Sequence, residues 1–284
     1  MTDTNRAGKP GKFSGLLIAS DFDLTFFDKG FIPERNIEAT RYFMENGGLF
    51  TISTARPVDS LERFLPMFSI NAPAILSNGG VIYDYQNRRL LHACYLPPRA
   101  LAAAREVYER FPGARIELFT ATGVGIAREL PILSEKEQST RPQGNLIDIY
   151  SFDEPVTRIV YLAEKELTAE IADYVMSRSD GEYGEIRSMN NFYNVMPNGV
   201  SKGAGLIRLA EILGIPIENT YCIGDDYNDV EMLKTAGVGA CPENAVQAVK
   251  EICDIVVCAM NDGAVAGLID YIDTIDAIDT KIKK

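Results

Sequence analysis

The chain reads as an α/β protein: a doubly wound parallel sheet with an α+β domain inserted into it. Two observations carry that reading. Short continuous apolar runs alternate with helical segments toward both ends of the chain, the pattern of strands covered on both faces and joined by right-handed crossovers. Between about residues 84 and 194 the candidate strands turn more polar and alternating, as in an antiparallel layer with one face covered and one wet.

Taken in order, Leu16-Leu17-Ile18-Ala19-Ser20 is the first strand. A helix over about 33–46 follows: Pro33 suits its first turn, Ile37 and Met44 mark its apolar side, and Gly47-Gly48 stop it. Leu49-Phe50-Thr51-Ile52 is the second strand and Ala74-Ile75-Leu76 the third. The inserted domain, 84–194, is expected to carry strands at 114–119, 157–161, 184–187 and 192–195, with helices near 99–110 and 168–177. Its hinges are expected at 83–88 and 196–200. The parallel pattern then resumes with a helix over 205–213 closed by Gly214, and a strand at 221–223. A helix near 229–235, a strand at 238–240, a helix near 245–252 and a strand at 255–257 complete it. Residues 16–83 and 195–284 thus form a Rossmann-like core. Near its end, Ile272, Ile275 and Ile278 have helix-compatible spacing and pack on the core or on a partner. Residues 1–15, polar with Gly and Lys, read as a disordered tail.

Hydrophobic content of 46% with 24% charged residues describes an ordinary globular protein of one or two domains. A net charge of −12 opposes nucleic-acid binding, which needs clustered Lys and Arg. No apolar run reaches the ~18 residues that span a bilayer, and residues 1–15 lack the apolar stretch of a signal peptide. Neither a membrane nor a nucleic acid is therefore an expected partner. The five cysteines form no CxxC pair, and Cys94, Cys222 and Cys258 sit in apolar stretches. All five are expected to be structural thiols in a reducing cytoplasm.

In open parallel sheets, ligands bind beyond the carboxyl ends of the strands. Those ends are polar here each time. Asp21 and Asp23 follow the first strand, Ser53-Thr54-Ala55-Arg56 the second and Ser77-Asn78-Gly79-Gly80 the third; Gly224-Asp225-Asp226-Tyr227-Asn228-Asp229 follow the strand at 221–223. Carboxylates converging on one crevice repel one another unless a cation sits among them. Carboxylates, waters and a substrate phosphate are the usual surroundings of Mg²⁺.

The run Asp21-Phe22-Asp23-Leu24-Thr25 (DxDxT), the hydroxyl of Thr54, Lys202 ahead of a helix and GDDYND at 224–229 follow one another in this order. Together they resemble the haloacid dehalogenase superfamily of phosphatases. The long insert ahead of Lys202, with TARP at 54–57 and SNGG at 77–80, is similar to the Cof-type branch with a C2-type cap. The resemblance covers nearly the whole chain from about residue 14, and it implies a Mg²⁺-dependent phosphatase working through an aspartyl-phosphate. On that resemblance Asp21 is the nucleophile, and Asp23 is general acid on the leaving oxygen and then base for the attacking water. The carboxylates of Asp21 and Asp225 and the main-chain carbonyl of Asp23 ligate Mg²⁺. Thr54 and Lys202 hold the transferring phosphoryl oxygens. Asp229 orients the metal's waters, Asn228 donates to the phosphate, and Asn78 and Gly79 lie close to the same pocket.

Each residue also has a plainer reading. Asp21 and Thr54 can serve as helix caps, and Lys202 as a solvated residue near a helix start, where the helix dipole disfavours a cation. Arg56 stays open between reaching the phosphate, reaching the insert and forming a structural salt bridge. Asp226 stays open between a capping or surface position and one beside the ligands. His92, the single histidine, is expected to be structural or exposed. Roughly thirty residues separate Asp21 from Thr54, too few for a lid, so the insert is expected to exclude water and contact the leaving group. That points to small phosphorylated metabolites, sugar phosphates first by resemblance, with loops such as 120–125 and 190–193 setting specificity. The alternatives are a phosphomutase or phosphotransferase of the same superfamily and a non-catalytic binding module. The last predicts missing motif residues, and none is missing.

Overall fold

The computed structural model describes residues 11–129, 144–188 and 191–282, and the chain divides into two compact units. In chain order the elements begin with β1 (Leu17–Ser20), α1 (Glu34–Glu45), β2 (Leu49–Ile52), α2 (Val58–Glu62), β3 (Ala74–Leu76), β4 (Val81–Asp84) and β5 (Arg89–Ala93). They continue with α3 (Pro98–Arg110), β6 (Arg115–Phe119), β7 (Val124–Arg128), β8 (Asn145–Leu146), β9 (Arg158–Leu162), α4 (Lys165–Met176), β10 (Tyr183–Ser188) and β11 (Phe192–Pro197). The last are α5 (Lys202–Leu213), β12 (Thr220–Ile223), α6 (Val230–Thr235), β13 (Val238–Pro242), α7 (Gln247–Lys250), β14 (Ile255–Val257) and α8 (Ala264–Ile282).

The first unit comprises Met1–Thr54, Pro66–Ala74 and Lys202–Lys284. Among the described residues it holds a five-stranded sheet in the order β14-β13-β12-β1-β2, parallel at every pairing. Every residue of β1 is buried, which is why the strand reads as an unbroken apolar run. α1 follows Pro33 and ends where Gly47 takes φ 89°, a conformation that suits glycine. No helix among the described residues is long and apolar enough to cross a membrane.

Two expectations for this unit need correction. Residues 1–10 of the expected tail lie outside the described residues, but residues 11–15 are no loose tail. Phe13 is fully buried, its ring 4.7 Å from that of Phe43, and its N–H donates to the Asn46 carbonyl. A single aromatic in a polar run is too short a signal for periodicity to detect. The second correction is β3, which leaves the parallel sheet for a three-stranded sheet in the order β3-β4-β5. Asn71 and Pro73 explain this. Asn71 exchanges hydrogen bonds with Phe50 on the edge of β2, Thr51 donates to the Pro73 carbonyl, and Pro73 has no N–H with which to extend a ladder.

The second unit comprises Ala55–Leu65 and Ile75–Ser201. Its larger sheet runs β10-β11-β9-β6-β7-β8, antiparallel among the described residues apart from the short β7–β8 pairing. Ile116, Leu118, Ile159, Tyr161, Tyr193 and Val195 form one core with Ala104 and Val107 of α3 and Ile171 and Val175 of α4. The expected wet face is a third correction: β6 and β9 are buried at every residue. Phe119, Val124, Val160 and Leu162 make a second cluster, and Arg115, Glu117 and Arg158 on the same strands are buried rather than solvated. Arg115 donates to Glu117 at 2.8 Å, and the Arg158 guanidinium lies 3.9 Å from the Phe119 ring centroid. Residues 83–88, expected as a hinge, lie within the second unit, where they end β4 and make the turn to β5, with Arg88 at φ 49°. Of the loop 190–193 expected to set specificity, residue 190 lies outside the described residues, and Phe192 already opens β11.

Candidate active site

β1 lies between β2 and β12, and the three end level, with Ser20 opposite both Ile52 and Ile223. Neighbouring strands run about 4.8 Å apart, so Asp21, Ser53 and Gly224 leave the sheet side by side. Backbone bonds hold that exit: Asp21 N donates to Ile223 O at 2.8 Å and Ser53 N to Ser20 O at 2.7 Å. Past Asp21 the chain turns back on itself. Phe26 N and Phe27 N both donate to Phe22 O, and Leu24 takes φ 64°. The turn brings the buried Thr25 Oγ1 to 2.8 Å from Asp225 Oδ1.

Lys202, the first residue of α5, is only 1% exposed. Its ammonium lies 2.5 Å from Asp21 Oδ1 and 2.7 Å from Asp229 Oδ1. A buried cation at a helix N-terminus opposes the dipole, and two carboxylates offset that cost. The plainer reading of Lys202 as a solvated residue is thereby excluded. Asp229 is fully occupied by the protein: its Oδ1 serves Lys202, and its Oδ2 accepts from the N–H groups of Asp225 (3.0 Å) and Asp226 (3.2 Å). This requires glycine at 224, where a Cβ would come within 2.3 Å of the Asp229 Cγ. Asp226 caps the turn Tyr227–Asp229, accepting from Tyr227 N at 2.8 Å, which assigns it the capping position.

The electrostatics follow from this crowding. Burial pushes the Asp21 carboxyl well above its ordinary range and Asp229 and Asp225 add to the rise, while Lys202 opposes it. Burial raises Asp225 to about 6, with the Thr25 hydroxyl acting against the rise and Asp229 adding to it. Burial alone would lower Lys202, yet Asp21 and Asp229 raise it above an ordinary lysine.

Asp21, Asp225 and Asp229 can each bring one carboxylate oxygen within 4.8 Å of the others. Because Asp229 spends both oxygens on protein donors, Asp21 and Asp225 are the two suited to a cation. Each has one oxygen bonded, to Lys202 and to Thr25 respectively, and a second oxygen with no protein donor among the described residues. Hard oxygen ligands carrying excess negative charge fit Mg²⁺.

The other sequence-derived residues divide in two. Thr54 is buried directly after Ser53 in the same unit, and α2 starts only after Pro57, so Thr54 is not its cap. Asp23 and Asn228 are exposed, Asp23 in the turn after β1 and Asn228 in the turn after β12. Asn78 and Gly79 belong to the second unit, in the turn Ser77–Gly79 after β3, where Asn78 takes φ 56°. Arg56, also in that unit, donates to Ser60 and stacks over Phe64 at 4.8 Å. His92 lies on β5 of the second unit with its Nε2 3.3 Å from the Cys94 sulfur. Two contributors escaped the sequence reading, Thr25 as the partner of Asp225 and Gly224 as the floor under Asp229. Both were visible as the T of DxDxT and the G of GDDYND.

Comparison with known proteins agrees with this geometry. The family model described as haloacid dehalogenase-like hydrolase matches residues 18–269. Phosphatase YwpJ of Bacillus subtilis is 27% identical over 283 residues, covering 90% of this chain and 99% of that protein. Pyridoxal phosphate phosphatase YbhA of Escherichia coli is 26% identical over 257 residues, covering 85% of this chain and 92% of that protein. The solved structure of the sugar phosphatase BT4131 shares the fold with a TM-score of 0.74 at 18% identity, over 90% or more of both chains (91% and 99%). The chain belongs to the haloacid dehalogenase-like hydrolase family, as a phosphatase of its Cof-type branch.

Proposed function

We propose that this phosphatase hydrolyses monoesters of small phosphorylated metabolites, sugar phosphates first, with Mg²⁺ and through a phosphorylated Asp21. The observation that carries the reading is the ammonium of Lys202 clamped between Asp21 and Asp229, beside the unmatched oxygens of Asp21 and Asp225. Asp21 Oδ attacks phosphorus, the P–O bond to the alcohol breaks, and Asp23 gives the leaving oxygen its proton. Asp23 is exposed, so it can exchange that proton with solvent and then take one from the water that cleaves the acyl-phosphate. Lys202 and Thr54 hold the phosphoryl oxygens, and Lys202 offsets repulsion between Asp21 and an anionic substrate. Asn228 donates to the same oxygens. Asp21, Asp225 and the carbonyl of Asp23 would hold Mg²⁺, which would supply charge neutralisation at the phosphoryl group. Asn78 and Gly79 enter this reading on the family resemblance alone. Sugar phosphates are favoured by the shared fold with a sugar phosphatase, and a cytoplasmic setting belongs to the same proposal.

The test is turnover of p-nitrophenyl phosphate and of a hexose monophosphate with Mg²⁺. Free phosphate is expected from both, and Asp21→Asn is expected to lower turnover by on the order of 10⁴-fold with an unchanged circular dichroism spectrum. Activity surviving in that variant would refute the nucleophile. A positional isomer of the hexose phosphate with little free phosphate would identify a mutase instead.

A further inference from the structure

We propose that Cys241 and Cys253 are a reversible redox modification site. An oxidant of the hydroperoxide or small-disulfide class joins them in an intramolecular disulfide, and the link slows the phosphatase. The inference goes beyond the phosphatase reading and rests on it only for the activity measurement.

The geometry comes first. The two sulfurs are 2.8 Å apart, contributed by residues twelve positions apart in sequence. A disulfide bond is about 2.05 Å long, so the sulfurs must close by less than an ångström. The approach is built into the backbone. Cys241 lies on β13, paired with Val256 of β14. Cys253 donates its N–H to Val249 O, and the next residue, Asp254, is locked to Gly239 in both directions: its N–H donates to Gly239 O and its Oδ2 accepts from Gly239 N, each at 2.7 Å.

The two thiols differ in the way a redox pair requires. Cys253 is partly exposed and can meet an oxidant, whereas Cys241 is buried. Burial, with Cys253 beside it, pushes the Cys241 thiol up to about 12, which suits it to resolve rather than to react first. With a hydroperoxide, the Cys253 thiolate attacks the O–O bond, releasing the alcohol or water and becoming a sulfenic acid. Cys241 then attacks that sulfur, and its proton leaves with the departing hydroxide as water. Two thiols lose two electrons and two protons, and the hydroperoxide is reduced by the same two electrons. With a small disulfide, exchange returns two small thiols instead.

The segment between the two cysteines also supports the catalytic turns. Asn244 Nδ2 donates to Leu24 O at 2.9 Å, between Asp23 and Thr25, while its Oδ1 accepts from Met260 N at 2.8 Å. Val246 N donates to Asp225 O at 2.9 Å. Drawing Cys253 onto Cys241 therefore pulls on the short span that positions both carboxylate turns.

The experiment uses the full chain, treated with hydrogen peroxide or with oxidised glutathione, alkylated, and mapped by mass spectrometry. The expected product lacks two hydrogens, carries a Cys241–Cys253 link, and reverts with dithiothreitol; neither Cys253→Ser nor Cys241→Ala forms it. Turnover of p-nitrophenyl phosphate is expected to fall by about tenfold, since misplacing reacting groups by about 1 Å can cost on the order of 100-fold. It returns on reduction, and Cys253→Ser keeps its basal turnover and ignores the oxidant. A link through Cys94, Cys222 or Cys258, a stable adduct or sulfinic acid at Cys253 without a link, or a linked protein with unchanged turnover would overturn the proposal. A chain inert even when reduced would refute the phosphatase reading, and the mass map would still decide the link.

Discussion

In the first unit one buried ammonium, Lys202, faces three carboxylates, Asp21, Asp225 and Asp229; in the second, the Arg115 guanidinium meets the Glu117 carboxylate at 2.8 Å. Both groups are withdrawn from water, and burying charge is costly unless it is matched. A one-to-one pair carries its own compensation. One cation against three carboxylates does not, and burial, with the neighbouring carboxylates adding to it, shifts Asp21 and Asp225 upward despite Lys202. The contrast teaches where to look for function: at the buried group whose charge needs an outside ion to balance it.

The largest expected effect separates the two groups. Lys202→Met should lower turnover of an aryl phosphate by on the order of 10³-fold, as for loss of a transition-state donor. Arg115→Met should leave that turnover in place and instead lower folding stability by about 3–5 kcal/mol, because Glu117 stays buried without its partner. Urea unfolding alongside kinetics checks both, and a Lys202→Met protein with near-normal turnover would erase the distinction.

A smaller effect is expected from Thr25→Val, which removes the hydroxyl from Asp225 without touching its charge. Apparent Mg²⁺ affinity should weaken about 10- to 100-fold, as for outer partners of metal ligands, with turnover largely restored at high Mg²⁺. A Mg²⁺ titration identical to the parent's would show that the hydroxyl does not set the carboxylate.

The smallest effect is in pH. In chelator, Asp225 holds its proton up to about 6 in the folded chain but only to 3.8 when unfolded. Between those values the folded state binds more protons, so this group's stabilisation is complete below the lower value and is lost as pH rises through about 6. Mg²⁺ competes with that proton. The rise in melting temperature on adding Mg²⁺ should therefore grow between about pH 5 and 7. A Mg²⁺-induced shift that is flat across that range would break the link between the carboxylate and the ion.

Much of the fold was legible because covered parallel strands leave a distinctive trace: β1, β2 and β12 are short, mostly apolar runs, each followed by polar residues. The convergence of Asp21, Asp225 and Asp229 was legible for the same reason, since level strand ends bring their next residues together, whereas Lys202, at the start of α5, entered on the family resemblance. What failed was whatever depends on partners rather than on period. Arg115, Glu117 and Arg158 look solvent-facing in an alternating strand, and only pairing and stacking make them interior. Phe13 gives no periodic signal, and Pro73 diverts β3 through a missing N–H rather than through hydrophobicity. Thr25 was quoted as part of a pattern, but its hydrogen bond to Asp225 spans 200 positions.

That distance has a consequence for how the chain is made. β1, inside the parallel sheet between β2 and β12, is translated ahead of every other strand of that sheet, yet one of its neighbours, β12, begins only at Thr220. Contacts this far apart form late, because the loop-closure entropy must be met before they give any return. The sheet of the second unit pairs strands drawn from one uninterrupted stretch, Ile75–Ser201, so it can assemble while the first unit is still waiting. Asp21 is thus translated well ahead of Lys202 and Asp225, and a nascent chain stalled before Thr220 carries Asp21 without Asp225 or Asp229.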